Sequence, residues 1–326
     1  MSADESNEAQ PVAAAARPDK TRSELRRWAF ALVPLVGLWE LAAHVWQTHS
    51  VVPERDWLAA RDAVTAIAKP DDLVVFAPRW TDPLARRYFG DEIATLEREA
   101  RPDETRFPRA IEVSIRGEHA PALEGWREVA SQRVGAVTLR TLANPAPAVL
   151  ADYLLRHASP EGMHVYRVAN DREQECAWSR GAPQTGNLGF GPAIPGDKFN
   201  CPGGGFVGVS IIADLQYWPR QCFYAPPSGG GATTRIRFQN VSFGRVLHGH
   251  HGLYVEAERH REGTPVSITF RAGDEAIGHA VHNDGDGWKP FEFPTGGLTG
   301  TKGELVVDIS SASGMRRVYC FEADTR

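Results

Sequence analysis

The stretch Gly287-Trp288-Lys289-Pro290-Phe291-Glu292-Phe293, followed after a glycine-rich connection by Gly303-Glu304-Leu305-Val306-Val307-Asp308-Ile309, decides how the larger part of this chain is read. Each segment is short, rich in β-branched and aromatic residues, and bounded by glycine, which is the pattern of strands and not of helices. Working outward, similar runs occupy 234–238, 253–257, 266–271, 276–282 and 317–323. Turn signals at 272–274 and 284–287 separate some of them. Seven short runs at regular spacing predict an antiparallel β-sandwich over residues 151–326.

Upstream, 181–208 is rich in Gly and Pro and is flanked by Cys176 and Cys201. Cys222 and Cys320 complete an even set, and none has the C-x-x-C spacing of zinc ribbons or redox motifs. Two disulfides in an oxidising compartment are expected. Of the three connectivities that four cysteines allow, Cys176–Cys201 with Cys222–Cys320 is preferred. The first pair would hold the irregular segment, and the second would tie the start of the sandwich to its last strand.

Between residues 50 and 150 helical and strand signals alternate. Trp57, Ala60, Val64 and Ile67 recur at helical spacing, Leu73-Val74-Val75-Phe76 is a continuous apolar run, and Asp82-Pro83 reads as an N-cap with proline at the first helical position. Further strands are expected at 111–115 and 137–142, with a crossover helix at 123–131 between them. That alternation predicts a small parallel α/β sheet of Rossmann-like type, which binds ligands at strand C-terminal ends. Arg79, Trp80 and Asp82 follow the first strand and are candidate ligand contacts, although a cap, a lid and a solvated cation explain them equally. No glycine-rich phosphate fingerprint follows that strand.

Residues 1–25 are polar and read as a disordered cytoplasmic tail. Residues 26–49 hold Trp-Ala-Phe-Ala-Leu-Val-Pro-Leu-Val-Gly-Leu-Trp-Glu-Leu-Ala-Ala-His-Val-Trp from Trp28 to Trp46, long enough at about 1.5 Å per residue to span a bilayer. A buried core helix and a signal peptide are the alternatives. Arg17, Lys20, Arg22, Arg26 and Arg27 crowd its N-terminal side, which predicts a single span in the inner membrane with the C-terminal domains periplasmic or extracellular. Glu40 and His44, four apart on one helix face, are expected to meet a partner helix.

The run Pro-Asp-Asp-Leu-Val-Val-Phe-Ala-Pro-Arg-Trp-Thr-Asp-Pro-Leu-Ala-Arg-Arg-Tyr-Phe-Gly-Asp from Pro70 to Asp91, with Glu54 to Trp57 before it, resembles the soluble extracytoplasmic domain of bacterial mannosyltransferase-like polytopic glycosyltransferases that use lipid-phosphate sugars. In that family the catalytic acids lie in loops between many membrane helices, so a chain with one expected span inherits none of them. The Trp288–Phe293 and Glu304–Ile309 runs, with the cysteine-bearing last strand, resemble the galactose-binding-like jelly roll of carbohydrate-binding modules. That resemblance implies sugar binding by loops at one end and makes Trp288 a candidate ligand contact.

Two constellations remain. His248, His250 and His251 place three imidazoles within four residues and could hold Zn2+, the alternative being a solvated turn. Asn283-Asp284-Gly285-Asp286 could offer oxygens to Ca2+, although the expected downstream glutamate is missing and a hairpin turn explains it better. No cofactor is otherwise implied. A formal net charge of −5 offers no basic field for nucleic acid. No G-x-S-x-G, H-E-x-x-H or P-loop motif is present. The leading expectation is a non-enzymatic, membrane-anchored envelope protein that binds glycan or serves a polytopic glycosyltransferase. A glycan-active hydrolase or transferase with its site between the two outer modules, and a structural scaffold, are the alternatives.

Overall fold

The structure is a computed structural model that describes residues 20–49, 51–184, 193–273 and 275–326. Residues 1–19 of the polar tail, with Arg17, part of the Gly/Pro stretch and Asp274 of the expected turn lie outside the described residues, whereas 20–25, expected as disordered tail, are helical. The chain divides into two compact units that meet between Pro53 and Glu54.

In the first unit, α1 (Lys20–His49) is one continuous helix with Pro34 inside it. Phe30, Leu32, Val33, Leu35, Trp39 and Trp46 are exposed on it, as are Glu40 and His44. Among the described residues no helix is long and apolar enough to cross a membrane. This departs from the expected span: Pro34, Glu40 and His44 dilute the apolar surface, and the side chains of Trp28, Ala29 and Ala31 are outside the described set.

The second unit begins with α2 (Glu54–Ile67), which buries Trp57, Ala60 and Val64 along one stripe. All of β1 (Leu73–Ala77) is buried. In α3 (Asp82–Ile93) the N-cap is Thr81, so Asp82 is the first helical residue and its carboxylate is free for other partners. After the short α4 (Leu96–Glu99) comes β2 (Arg109–Ile115), parallel to β1 with Leu73 opposite Ala110. From there the expectation fails. Residues 121–123 form a single 3-10 turn, and β3 (Arg127–Val134) pairs as a hairpin with β4 (Val137–Ala143), which is antiparallel to β2.

The four-stranded order β1-β2-β4-β3 is therefore a mixed sheet, not a parallel Rossmann-like one. The cause is local. Gly135 takes φ 59° in a two-residue turn between Val134 and Val137, a conformation that matches strand twist and forces the chain straight back. Asp56 secures the turn by accepting the Ala136 N–H at 2.9 Å.

The sandwich follows as β5 (Asp152–Tyr153), β6 (Met163–Ala169), β7 (Arg172–Glu175), β8 (Ala177–Ser179), β9 (Lys198–Asn200), β10 (Phe206–Ala213), β11 (Pro219–Tyr224), β12 (Thr233–Ser242) and β13 (Val246–Leu253). After α5 (Val255–His260) it ends with β14 (Val266–Ala272), β15 (Glu275–His282), β16 (Lys289–Pro294), β17 (Lys302–Ser311) and β18 (Tyr319–Thr325). One sheet runs β16-β13-β18-β11-β10-β9-β8 with β5 beside β18, and the other β15-β14-β17-β12-β6-β7.

The strand expected at 253–257 is two elements. β13 stops at Leu253, and Val255-Glu-Ala-Glu-Arg-His260 turns helical with Glu256 and Glu258 in its first turn, where the helix dipole favours them. Strands β5 to β11 were not expected; several lie near or within the Gly/Pro-rich region, whose composition reads as loop.

Between the sheets, Ile236, Phe238, Ile268, Phe270, Leu305 and Val307 pack against Phe223, Leu247, Phe291 and Phe321. Fully burying side chains of this size stabilises by about 1.5–3 kcal/mol each relative to exposure. Gly249 is needed here: a Cβ on it would strike the Glu322 carbonyl and come within 2.6 Å of the Phe291 ring.

Both disulfides close as Cys176–Cys201 and Cys222–Cys320. Cys222 sits on β11, next to β18 in the sheet, so this bridge ties two neighbouring strands and not the sandwich's start to its end. Its sequence separation of 98 exceeds the 25 of the other bridge. On the chain-entropy model the longer loop is worth roughly 4–5 kcal/mol and the shorter about 3. Cys222→Ser/Cys320→Ser should therefore lower unfolding free energy more than Cys176→Ser/Cys201→Ser in chemical denaturation at fixed pH. Equal losses would refute this ranking.

Candidate functional site

The end of β1 and the loop between β10 and β11 meet at a pocket of about 140 Å³. Val75 and Phe76 form its floor, and Ala120 to Ala122 one wall. Its polar lining is Arg79, Asp82, Glu99 and Arg101, and Trp218 closes it from the sandwich side.

The loop bearing Trp218 is held by Asp214, which is almost completely buried. Its Oδ1 accepts the Gln216 and Trp218 N–H groups at 3.0 and 2.8 Å, and its Oδ2 accepts Arg220 Nε at 2.9 Å. Arg220 then donates to the carbonyls of Arg101 and Pro102 at 2.9 and 3.0 Å. The Gln221 N–H reaches the Ala100 carbonyl at 2.6 Å. Loop 100–102 and loop 214–220 are thus one junction.

At the pocket the Arg79 guanidinium lies over the Trp218 ring. Partial burial, then Arg220 and Arg101, disfavour its charge and bring it to about 9, so it remains a cation at neutral pH. Burial, then the charge of Asp82 and a hydrogen bond with that carboxyl, push Glu99 up to about 7. Glu99 therefore keeps its proton to a higher pH than an exposed carboxylate does.

Of the residues singled out after β1, Arg79 lines this pocket, and so does Asp82. Trp80 is exposed outside its lining, with Arg116 over its ring at 5.7 Å. Glu99, Arg101 and Trp218 were missed. Each lies on a short connection whose sequence carries no motif, and only the docking of the two loops brings them together.

The histidines lie on a strand, not in a turn. On β13, His248 and His250 face one side and His251 the other, because alternate residues of a strand point to opposite faces. His251 is fully buried, 2.8 Å from the Tyr319 hydroxyl through Nδ1 and beside His282. Burial first, then His282 and Lys289, push it down to about 3, so it stays neutral at physiological pH and is separated from the other two.

His248 and His250 meet Asp103, with one donor atom from each of the three within 4.8 Å of the others. Trp288 is stacked on His250 with centroids 5.9 Å apart and has Arg220 over its ring at 5.7 Å, so both of its neighbours are protein groups.

The 283–286 turn directs its carboxylates to protein partners. Asp284 pairs with Arg317 and accepts the Gly263 N–H at 2.8 Å, while Asp286 takes Lys289 at 3.0 Å. Both Asp284 oxygens and Asp286 Oδ2 thus have protein donors.

No protein-family model and no curated protein matches the chain. Among solved structures, the CBM51-2 and INT domains of Clostridium perfringens ZmpB match 50% of this chain at 10% identity with a TM-score of 0.26. CBM51-2 of the same protein in complex with GlcNAc, with INT domains, matches 61% of this chain at 9% identity and a TM-score of 0.26. TmCBM27, described by its specific mannan recognition, matches 36% of this chain and 80% of its own at 10% identity and a TM-score of 0.21. The chain spans 37% and 40% of the lengths of the first two. All three are or contain carbohydrate-binding modules; at this level of likeness the functional argument rests on the residues above.

A pH dependence follows from Glu99. Its folded value of about 7 lies above its ordinary 4.5, so the unfolded chain releases the proton first. Stability is therefore fully present below about 4.5 and is lost as pH rises toward and through about 7. Glu99→Gln should flatten that slope in denaturation curves taken across the window, and an unchanged slope would count against the raised Glu99.

Proposed function

We propose that this chain is a membrane-attached, extracytoplasmic glycan-binding protein that takes one sugar residue in the pocket at the end of β1. The supporting observation is the pocket's chemistry: an indole edge and Phe76 beside two guanidinium groups and a carboxyl pair. A pyranose offers an apolar C–H face and a rim of hydroxyls. Aromatic rings accept the first, and planar charged groups with several donors or acceptors accept the second. The volume of about 140 Å³ is below the roughly 300–1,000 Å³ of drug-sized sites, which favours a single residue or chain end.

Exposed Phe30, Leu32, Val33, Leu35, Trp39 and Trp46 on α1 support membrane attachment, since contiguous apolar surface of this kind is costly in water. A sugar-binding body attached to the membrane would suit an accessory subunit of a polytopic glycosyltransferase.

A glycan array followed by calorimetry tests the binding. Trp218→Ala and Arg79→Ala should each weaken the ligand at least about tenfold, equivalent to roughly 1.4 kcal/mol. An array without signal, or a Trp218→Ala protein that binds as before, would defeat the reading. Deleting 1–49 should move the protein from the membrane fraction to the soluble one, and a full-length chain recovered only as soluble protein would remove the attachment.

A further inference from the structure

The geometry points to a divalent-cation site of the zinc class at the junction of the two modules, with Asp103, His248 and His250 as ligands. Asp103 comes from the loop between α4 and β2, and the histidines from the outer face of β13. Their donor atoms lie within 4.8 Å of one another. Tetrahedral ligands at about 2.0–2.1 Å from a zinc ion stand roughly 3.3 Å apart, so the set closes on a cation by side-chain movements of about 1 Å.

The histidines are backed as metal-binding imidazoles are. In the β13–β18 ladder His248 is directly opposite Asp324, and His250 is opposite Glu322. His250 Nδ1 is 2.9 Å from Glu322 Oε1, and His248 Nδ1 is 3.6 Å from Asp324 Oδ2. At His250 the carboxylate at Nδ1 fixes the tautomer, raises the basicity of the ring and leaves the Nε2 lone pair for a cation, whereas the His248–Asp324 separation is beyond hydrogen-bond length. His248 Nε2 already faces Asp103 Oδ2 at 3.7 Å. The stacking of Trp288 on His250 holds the second ring in place.

Arg326 is the competing cation, 3.6 Å from Asp103 and 2.7 Å from Asp324. Two nitrogens and one carboxylate oxygen leave a fourth position open for water or a ligand atom, as in zinc sites that do more than staple a fold. Because its ligands come from both loop and sandwich, the ion would cross-link the junction that also carries Trp218.

The test is titration of the purified full-length chain with Zn2+ by calorimetry and with Co2+ by visible absorption. The expected result is one saturable equivalent, four-coordinate d–d bands with Co2+, and a higher Tm with Zn2+. His248→Gln and His250→Gln should each weaken binding more than tenfold, Glu322→Gln by about 10–100-fold, and the exposed His279→Gln not at all. Should a histidine variant fail to fold by circular dichroism, Asp103→Asn is read in its place with the same expectation. Absence of a saturable equivalent, or affinity unchanged in the ligand variants, overturns the site.

Discussion

Arg220 is the side chain on which both functional regions depend. It is buried, pairs through Nε with a buried Asp214, and donates from Nη1 to the Arg101 and Pro102 carbonyls. Removing one partner of such a pair leaves an uncompensated buried charge, at a cost of about 3–5 kcal/mol. What the pair secures is position. Loop 214–220 is pinned to loop 100–102, so Trp218 closes the pocket beside Arg101. Asp103, one residue beyond Pro102, is held over the histidines of β13. The pocket proposed for a sugar and the proposed cation site are two edges of one docking contact.

The sandwich supplies the second organising constraint, the two-residue period of its strands. On β13 it sends Gly249 and His251 inward and His248 and His250 outward, and on β18 it faces the outward pair with Asp324 and Glu322. The inward imidazole is neutral and bonded to Tyr319. Burial of Glu322 works against its ionisation, and His250 offsets part of that cost. Against burial, His248 and Arg326 hold the Asp324 carboxyl below the usual carboxylate range. One strand thus separates a core-filling histidine from two that share a polar face, with no change in composition between them.

Much of this was legible in the chain itself. Alternation and turn residues located six of the seven sandwich strands expected, because local propensity and burial agree in those segments. The even cysteine count points to two disulfides, and the preferred one of the three connectivities is the one that forms. Arg79 and Asp82 line a pocket just after β1, a position that could be read locally because they follow the end of an apolar run. The parallel α/β reading failed where one glycine turn outweighed the weak helical signal of 123–131.

The sequence by itself determined the class of the larger body as a disulfide-bonded β-sandwich, and the segments of six of its strands, since these rest on periodicity and on residue types acting within a few positions. Only the tertiary structure decided the sites. Glu99, Arg101 and Asp103 belong to one loop region and Trp218 to another more than a hundred residues away, and no local rule relates them. Asp214 and Arg220 bring them within reach of one another, through hydrogen bonds that exist only when the two modules are packed.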